Sequence, residues 1–256
     1  AAEALGRIAA RVDDKWPPVE LLAAALGDET HYVRMKAAYA LGAIGEQVTG
    51  LLLDSLVHEN PLRREAAARA LGRTGSQRAV EPLIHALNDP DPWVQRAAAD
   101  ALGALREEEA VGPLLAVLDD AHPSVKPGAA AALGRIGSPR ALRGLIAALG
   151  EPNPWLRRAA ALALGRIGER AALGPLLNAL EDEQAIVRQA AAQALGMLGD
   201  PAAVPHLAAR LEDSGEHRLG RVRDAAAEAL ARIGTPEALA ALAAHEPHRE
   251  HRPGDA

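Results

Sequence analysis

Cysteine and phenylalanine are both absent from this chain of 256 residues. The lack of cysteine excludes disulfides, thiol nucleophiles and cysteine-ligated metal sites. Only three tryptophans and two tyrosines occur, so any interior has to be built from alanine, leucine, valine and isoleucine. No apolar run approaches the ~18 residues of a membrane-spanning helix, and no secretory leader is recognisable, so we expect a soluble, cytoplasmic protein with no membrane partner.

The sequence motifs of several enzyme classes are missing as well. There is no phosphate-binding glycine loop, no nucleophile elbow and no His-Glu-x-x-His pair. We therefore predict no catalytic residue, no metal ligand and no cofactor, and the sequence favours a non-enzymatic role. The formal net charge is −6, which argues against nucleic acid as the partner.

What the chain does contain is a repeated segment that ends in Ala-Leu-Gly. Most copies are 31 residues apart, and their glycines are Gly6, Gly42, Gly72, Gly103, Gly134, Gly165 and Gly196, with Ala231 in the last copy. A constant period of this length predicts one supersecondary unit stacked on copies of itself, each burying an apolar face that it could not bury alone.

The pattern within each unit predicts a helical hairpin. In the copy that ends at Gly103, apolar residues recur at helical spacing in two stretches, first Val80, Leu83, Ile84 and Leu87, then Val94, Ala98, Ala99, Ala101 and Leu102. Residues 88–92 between them, Asn-Asp-Pro-Asp-Pro, are typical of a turn whose carboxylates cap the next helix. A glycine three residues beyond most motifs suits a left-handed helix end, whereas Arg106 takes that place once and predicts a differently closed turn.

The predicted fold class is an all-α solenoid of about seven and a half stacked helical hairpins. We expect a single domain over residues 1–245, with an incomplete first repeat because the sequence opens inside a second helix, and a disordered tail over residues 246–256. Trp16 falls in a long loop and is expected to cover the first hairpin. An enlarged turn over residues 213–220 predicts a surface insertion or a contact loop.

The second half of each unit also resembles a known family. The pattern Val-Arg-x-x-Ala-Ala-x-Ala-Leu-Gly-x-Ile-Gly occupies residues 33–45 and, with small changes, residues 187–199. It resembles the HEAT-like repeats first described in phycobilin lyases, and the resemblance covers nearly the whole chain. A di-iron hydroxylase with similar repeats has His-Glu pairs at second-helix positions that here hold residues such as Met35-Lys36 and Arg96-Ala97, so its metal site is not predicted.

One face of each second helix is not used in the predicted packing. Counted from the helix valine or its equivalent, positions −1, +2, +3, +6 and +10 share this face. In HEAT-like repeats it lines the concave surface, and the resemblance implies the same here. Four of the five aromatic residues fall on it, with nine basic and four acidic residues. The residues predicted to bind a partner there are Tyr32, Met35, Lys36, Tyr39, Arg69, Trp93, Arg96, Arg135, Trp155, Arg158, Leu162, Arg166, Gln189 and Met197.

A sharper feature of this face is a predicted notch. Trp93 and Trp155 occupy the same position two repeats apart, and the repeat between them offers small residues around Pro127 and Gly128. With helices roughly 8–10 Å apart, the notch would be about 20 Å wide and would suit a planar apolar group with negative charge. The alternative is that Pro127 and Gly128 only shorten their helix at its first turn.

A second series of charges points to structure rather than function. The position after the helix valine is mostly basic, and the turn between the helices is mostly acidic. The two series are Arg34, Arg64, Gln95, Lys126, Arg157, Arg188 and Arg223, and Asp28, His58, Asp89, Asp120, Glu151, Asp182 and Asp213. We predict a ladder of ion pairs that ties turns to helices.

Taken together, these features predict a scaffold that binds a protein or peptide partner with acidic and apolar groups. Tryptophan, tyrosine, arginine and methionine are enriched in protein interfaces and their hot spots. Three alternatives stay open. The same side chains could merely cover an apolar groove, the protein could handle a bilin or another tetrapyrrole as a lyase-like protein does, or the basic face could bind nucleic acid.

Overall fold

The computed structural model describes residues 17–120, 122–213, 215–217 and 220–245, so that Trp16 and the predicted tail 246–256 lie outside the described residues. We number the α-helices in chain order, so that odd numbers are first helices of hairpins and even numbers second helices. They are α1 (Pro17–Ala25), α2 (His31–Ile44), α3 (Thr49–Leu56), α4 (Pro61–Thr74), α5 (Val80–Ala86), α6 (Pro92–Leu105), α7 (Val111–Asp120), α8 (Lys126–Ile136), α9 (Leu142–Ala148), α10 (Pro154–Ile167), α11 (Leu173–Ala179), α12 (Ala185–Leu198), α13 (Val204–Ala209), α14 (Val222–Ile233) and α15 (Pro236–His245).

The predicted fold class, an all-α solenoid of helical hairpins, is confirmed. The described residues form seven hairpins followed by the single helix α15, and most first helices are preceded by a short 3₁₀ turn. No described helix is long and apolar enough to cross a membrane. The enlarged turn carries a two-stranded antiparallel ribbon, β1 (Glu216–His217) and β2 (Gly220–Arg221).

The hairpins group into two compact units that divide between Ile136 and Gly137. In the first unit, α2 packs on α4, α4 on α6 and α6 on α8. In the second unit, α10 packs on α12 and α12 on α14. Alanine and leucine fill the core of each unit, as the scarcity of aromatics requires. That residues 1–245 form a single uninterrupted domain stays a prediction.

Three of the second helices, α4, α6 and α10, begin where a proline follows a capping side chain. The side-chain oxygens of Asn60, Asp91 and Asn153 accept hydrogen bonds from the backbone N–H two residues ahead, at 2.9, 2.8 and 3.0 Å. The proline after each cap occupies the first turn, where its missing N–H removes no helical hydrogen bond. Helix α8 has 11 residues where α6 has 14, which confirms that Pro127 and Gly128 shorten it.

The second helices end in a left-handed residue, and this includes the one that lacks glycine. Gly168 and Gly199 have φ of 75° and 70°, and their N–H groups donate to carbonyls four residues earlier. Arg106 adopts the same conformation, with φ 61°, and donates to the Leu102 carbonyl at 3.0 Å. The prediction of a differently closed turn at Arg106 is therefore wrong, because the backbone hydrogen bond holds even an arginine in the left-handed region.

Arg106→Gly is expected to raise the free energy of unfolding by about 1 kcal/mol. A left-handed conformation costs a residue with a side chain roughly 1–2 kcal/mol, part of which is offset by the greater entropy that glycine loses on folding. The Arg106 side chain is exposed, so its removal sacrifices no packing. Urea denaturation measures the effect, and Gly168→Ala should shift stability in the opposite direction. A lower midpoint for Arg106→Gly would contradict this interpretation of the turn.

The glycine of the Ala-Leu-Gly motif marks where neighbouring second helices touch. A Cβ added to Gly72 would lie 2.6 Å from the Cα of Ala101, and one added to Gly165 would lie 2.6 Å from the Cα of Ala194. Both distances are too short for any side chain. Consecutive second helices therefore meet backbone to backbone, and their exposed side chains reach across to the next repeat.

Candidate functional site

In each unit, the predicted partner-binding residues lie on one side of the second helices, which we call the second-helix face and define by positions −1, +2, +3, +6 and +10. Its aromatic side chains are open to solvent, with exposed fractions of 66% for Tyr32, 50% for Tyr39, 60% for Trp93 and 41% for Trp155. Tyr32, Trp93 and Trp155 occupy position −1 of their helices, and Tyr39 occupies position +6. These four rings are therefore available to a partner.

The remaining predicted residues are exposed or half-buried, with one exception. Arg96, Arg166 and Met197 are exposed, whereas the half-buried side chains are those of Met35, Lys36, Arg69, Arg135, Arg158 and Leu162. The Gln189 side chain is only 8% exposed, because α12 packs between α10 and α14. Its expected presentation to a partner is not seen, and Gln189 belongs to the packing of the second unit.

Side chains of consecutive repeats contact one another across this face in a regular way. The guanidinium of Arg73, at position +10, lies 4.0 Å from the centre of the Tyr39 ring, at position +6 of the preceding repeat. Arg135, again at +10, donates from Nη2 to Asp100 Oδ1 at 2.8 Å, and Asp100 is at +6 of its preceding repeat. The +10 side chain of one repeat thus covers the +6 side chain of the repeat before it.

This rule is broken once in the first unit, and a groove opens there. Position +10 of α6 is Ala104, which is too short to reach Arg69 at position +6 of α4. The resulting Ala104 groove has a volume of about 370 Å³. Its floor consists of the small residues Ala38, Gly72, Ala97 and Ala101, and its rim of Met35, Tyr39, Arg69, Arg73, Asp100 and Ala104.

The second unit carries a pair of arginines on α10. Arg158 and Arg166 lie on the same face as Trp155, and neither forms an ion pair with a described residue. The pKa of Arg158 is lowered, first because burial disfavours its charged form and second because Arg166 adds another positive charge nearby. Positive charge without a compensating carboxylate favours an anionic group on a partner.

The predicted ladder of ion pairs is confirmed in part, because three such pairs are found among the described residues, and each of them joins neighbouring repeats. Arg64 forms two hydrogen bonds of 2.8 Å with Asp89, which lies 25 residues ahead in the next hairpin. Arg157 binds Asp182 in the same way, at 2.7 and 2.9 Å. Arg157 also donates to two carbonyls of its own turn. The constant spacing of 25 residues was the sequence signal for the pairing between repeats.

A third pair, Arg188 with Asp213, shows how pH acts on the ladder. The pKa of Asp213 is lowered, chiefly by its hydrogen bonds with Arg188, against an opposing effect of burial. A carboxylate with a lowered pKa contributes stability that is present above the ordinary value near pH 4 and is lost as the pH falls through the folded-state pKa. This part of the ladder is therefore intact at neutral pH and weakens in acid.

At one repeat the ladder lacks its carboxylate. His58 takes the turn position, and its Nδ1 accepts a hydrogen bond from the Asn60 N–H at 3.0 Å, as Asp89 Oδ1 does from Asp91. The corresponding arginine is Arg34, whose Nε is buried without a hydrogen-bond partner among the described residues. The histidine therefore reproduces the turn but leaves the arginine incompletely satisfied.

His58→Asp is expected to raise the free energy of unfolding by about 1 kcal/mol. An aspartate would keep the turn hydrogen bond and offer Arg34 a charge-assisted partner, which is worth roughly 1.5–3 kcal/mol before solvent screening reduces it. Thermal denaturation at neutral pH checks the effect. His85→Asp on the exposed side of α5 is the matched control and should not raise the free energy of unfolding. Equal changes in the melting temperature of both variants would refute the equivalence of His58 to the turn aspartates of the other repeats.

Comparison with known proteins identifies the repeats. The family model for HEAT repeats matches five overlapping segments, residues 19–94, 50–125, 80–152, 142–220 and 175–252. The chain belongs to the HEAT-repeat family. No curated protein matches the chain in sequence. Among the described residues of its HEAT repeats, no group of three or more histidine and acidic side chains is placed to hold a metal ion.

Two solved HEAT-type structures are similar over nearly their full length. The complex of CpcE and CpcF of phycocyanin lyase from a Nostoc species is 25% identical, with 93% of this chain and 97% of that chain covered and a TM-score of 0.55. The YibA protein of Escherichia coli is 21% identical, with 95% of this chain and 90% of that chain covered and a TM-score of 0.68. The likeness to YibA concerns the fold of the HEAT repeats alone.

Proposed function

We propose that this HEAT-repeat protein is a non-enzymatic scaffold that binds a protein or peptide through its second-helix face. The observation that carries the proposal is the exposure of aromatic rings beside arginines on the second-helix face of each unit, Tyr39 and Trp93 in the first unit and Trp155 in the second. Large apolar side chains exposed together on a folded protein mark interaction surfaces. Arg158 and Arg166 form no ion pair with a residue that the structure describes, and their positive charge adds a preference for acidic groups on the partner.

The kind of partner follows from the same residues. Tryptophan, tyrosine and arginine dominate the binding energy of protein interfaces, because each combines a large contact area with a polar group. The similar phycocyanin lyase structure is a complex between two proteins, CpcE and CpcF. A protein or peptide with apolar and acidic groups is therefore the partner that this face fits best.

Selection of a displayed random peptide library on the full chain tests the proposal. We expect enrichment of peptides that combine acidic with aromatic or aliphatic residues. Trp155→Ala or Arg158→Ala should then weaken the selected peptide by about 2 kcal/mol, roughly 30-fold in Kd. Both side chains are at least partly exposed, so the stack should remain folded.

The control is Arg143→Ala on α9, which removes an exposed arginine from a first helix. Its peptide affinity should equal that of the unchanged protein, and the thermal unfolding of all three variants should be similar. A selection without enrichment, or a Kd unchanged in both Trp155→Ala and Arg158→Ala, would eliminate the second-helix face as a recognition surface.

A second candidate function is the handling of a bilin or a similar tetrapyrrole. The similarity to a phycocyanin lyase structure favours it. In the second unit, the exposed Trp155 ring would stack on the planar chromophore, and Arg158 and Arg166 would bind its propionates. The notch between Trp93 and Trp155 stays a prediction. Incubation with phycocyanobilin tests this candidate. A shift in the absorbance of the bilin that Trp155→Ala abolishes would favour it, and an unchanged spectrum would count against it.

A further inference from the structure

We propose that the Ala104 groove is a subsite for one apolar side chain of a peptide partner that carries a carboxylate next to it. This inference rests on the proposed function and assigns a specific chemistry to one part of the second-helix face. Two properties of the groove support it, the small residues of its floor and the charge on its rim.

The floor of the groove is apolar because neighbouring second helices touch there. Gly72 allows the backbones of α4 and α6 to meet at Ala101, so only methyl groups and backbone line the bottom. Ala104 leaves this floor uncovered, whereas Arg73 and Arg135 cover the flanking contacts with Tyr39 and Asp100. The groove is therefore bounded by a filled contact on each side. Burial of this apolar surface against an apolar group of a partner makes the free energy of binding more favourable.

The size of the groove limits what can occupy it. Ligand pockets usually have volumes of ~300–1,000 Å³, and the Ala104 groove, at about 370 Å³, is near the lower limit. Because the filled contacts close both sides, it accommodates a single ring or branched side chain together with its neighbouring polar group. A long helix or an extended cofactor would not fit between the two contacts.

The charges on the rim favour an anion beside the apolar group. Arg69 is paired with Glu65 at 3.0 Å, and Asp100 is paired with Arg135 at 2.8 Å, so these charges cancel. Arg73 forms no ion pair with any residue that the structure describes, and its guanidinium packs on the Tyr39 ring. The groove therefore keeps one net positive charge. Because a guanidinium carries its N–H groups in its plane, an arginine stacked on a ring can still donate two of them to a carboxylate.

Fluorescence titration with 1-anilinonaphthalene-8-sulfonate tests the subsite without a known partner. This probe combines an apolar ring system with a sulfonate that stands in for the carboxylate, and N-phenyl-1-naphthylamine is the same ring system without the anion. We expect one site that prefers the sulfonate probe at least fivefold. Ala104→Leu, which fills the groove, should weaken binding at least tenfold, and Arg73→Gln should remove the preference between the two probes.

The matched control is Ala116→Leu, the same change at an exposed position on α7. It should leave the affinity for the sulfonate probe unchanged, and thermal unfolding of each variant verifies that the fold is kept. No binding of the probe, or equal binding by Ala104→Leu and Ala116→Leu, would overturn the subsite. Equal affinity of the unchanged protein for the two probes would overturn its anionic part.

Failure of the subsite is distinguishable from failure of the proposed function. A selected peptide that loses affinity in Trp93→Ala, in the same unit as the groove, but binds equally well to Ala104→Leu would support the second-helix face as a recognition surface and overturn the inference. Suppose that Ala104→Leu no longer binds the sulfonate probe and that the selection enriches no peptide. The groove would then be a site for an apolar group with an anion, but a peptide would not be its occupant.

Discussion

Gly165→Ala is expected to lower the free energy of unfolding by about 3 kcal/mol, because the added methyl group has no space. It would lie 2.6 Å from the Cα, 2.8 Å from the Cβ and 3.0 Å from the carbonyl oxygen of Ala194. These atoms belong to the backbone and its first side-chain carbon, so no rotamer change can relieve the clash. Helices α10 and α12 would have to separate along their length and give up the packing of the alanines between them.

Gly50→Ala provides the matched control, since it adds the same methyl group at a helical glycine of α3 that has no neighbouring atom within 4 Å beyond its own helix backbone. There the change should be neutral or stabilising by up to about 1 kcal/mol, because alanine is the better helix former. Urea denaturation of both variants, followed by circular dichroism, measures the difference. Similar midpoints for Gly165→Ala and Gly50→Ala would refute the close approach of the second helices.

The hairpins and their bounds could be predicted from the sequence because alanine and leucine recur at helical spacing within a constant period. Residues 88–91 of the predicted turn lie between α5 and α6, and Pro92 begins α6. Local signals sufficed at these places, since capping residues, prolines and glycines act within a few positions of where they stand. The exposure of the four aromatics followed from the same helical periodicity.

Contacts between repeats could not be predicted in the same way. The period shows that second helices are neighbours but not how far one is displaced along the next, and this displacement decides that position +10 covers position +6. The Ala104 groove depends on that displacement and on one missing side chain, so no motif marks it. Gln189 shares a helix position with Arg158 yet is buried, because α12 packs between α10 and α14.

Arg106 illustrates a different limit. Propensity argues for glycine at a left-handed helix end, but the hydrogen bond to the Leu102 carbonyl and the packing of the helix before it outweigh a penalty of roughly 1–2 kcal/mol. Local rules give the cost of a residue at a position. They do not give the free energy that the surrounding repeats supply to overcome it.

Arg157→Ala and Asp182→Ala are expected to lower the free energy of unfolding by about 3 and about 2 kcal/mol. The two side chains are 10% and 12% exposed, so removal of Arg157 leaves Asp182 as a largely buried charge without this partner. Removal of Asp182 leaves Arg157 with the longer ion pair to the exposed Glu183, at 3.6 Å. Arg157→Ala should lower the free energy of unfolding more, because it also removes the hydrogen bonds to the carbonyls of Glu151 and Pro152. Asp182→Asn isolates the charge, since an amide oxygen can still accept the turn hydrogen bond from the Gln184 N–H.

A double-mutant cycle separates the pair from the turn. If the Arg157–Asp182 contact joins consecutive repeats, the double alanine variant should be destabilised by clearly less than the sum of the single variants, with a coupling of about 1–3 kcal/mol. Additive losses would mean that each residue acts only within its own turn.

Because the pair lies between two hairpins, its loss should also reduce the cooperativity of unfolding. The urea transition should therefore broaden as the repeats on either side begin to unfold separately.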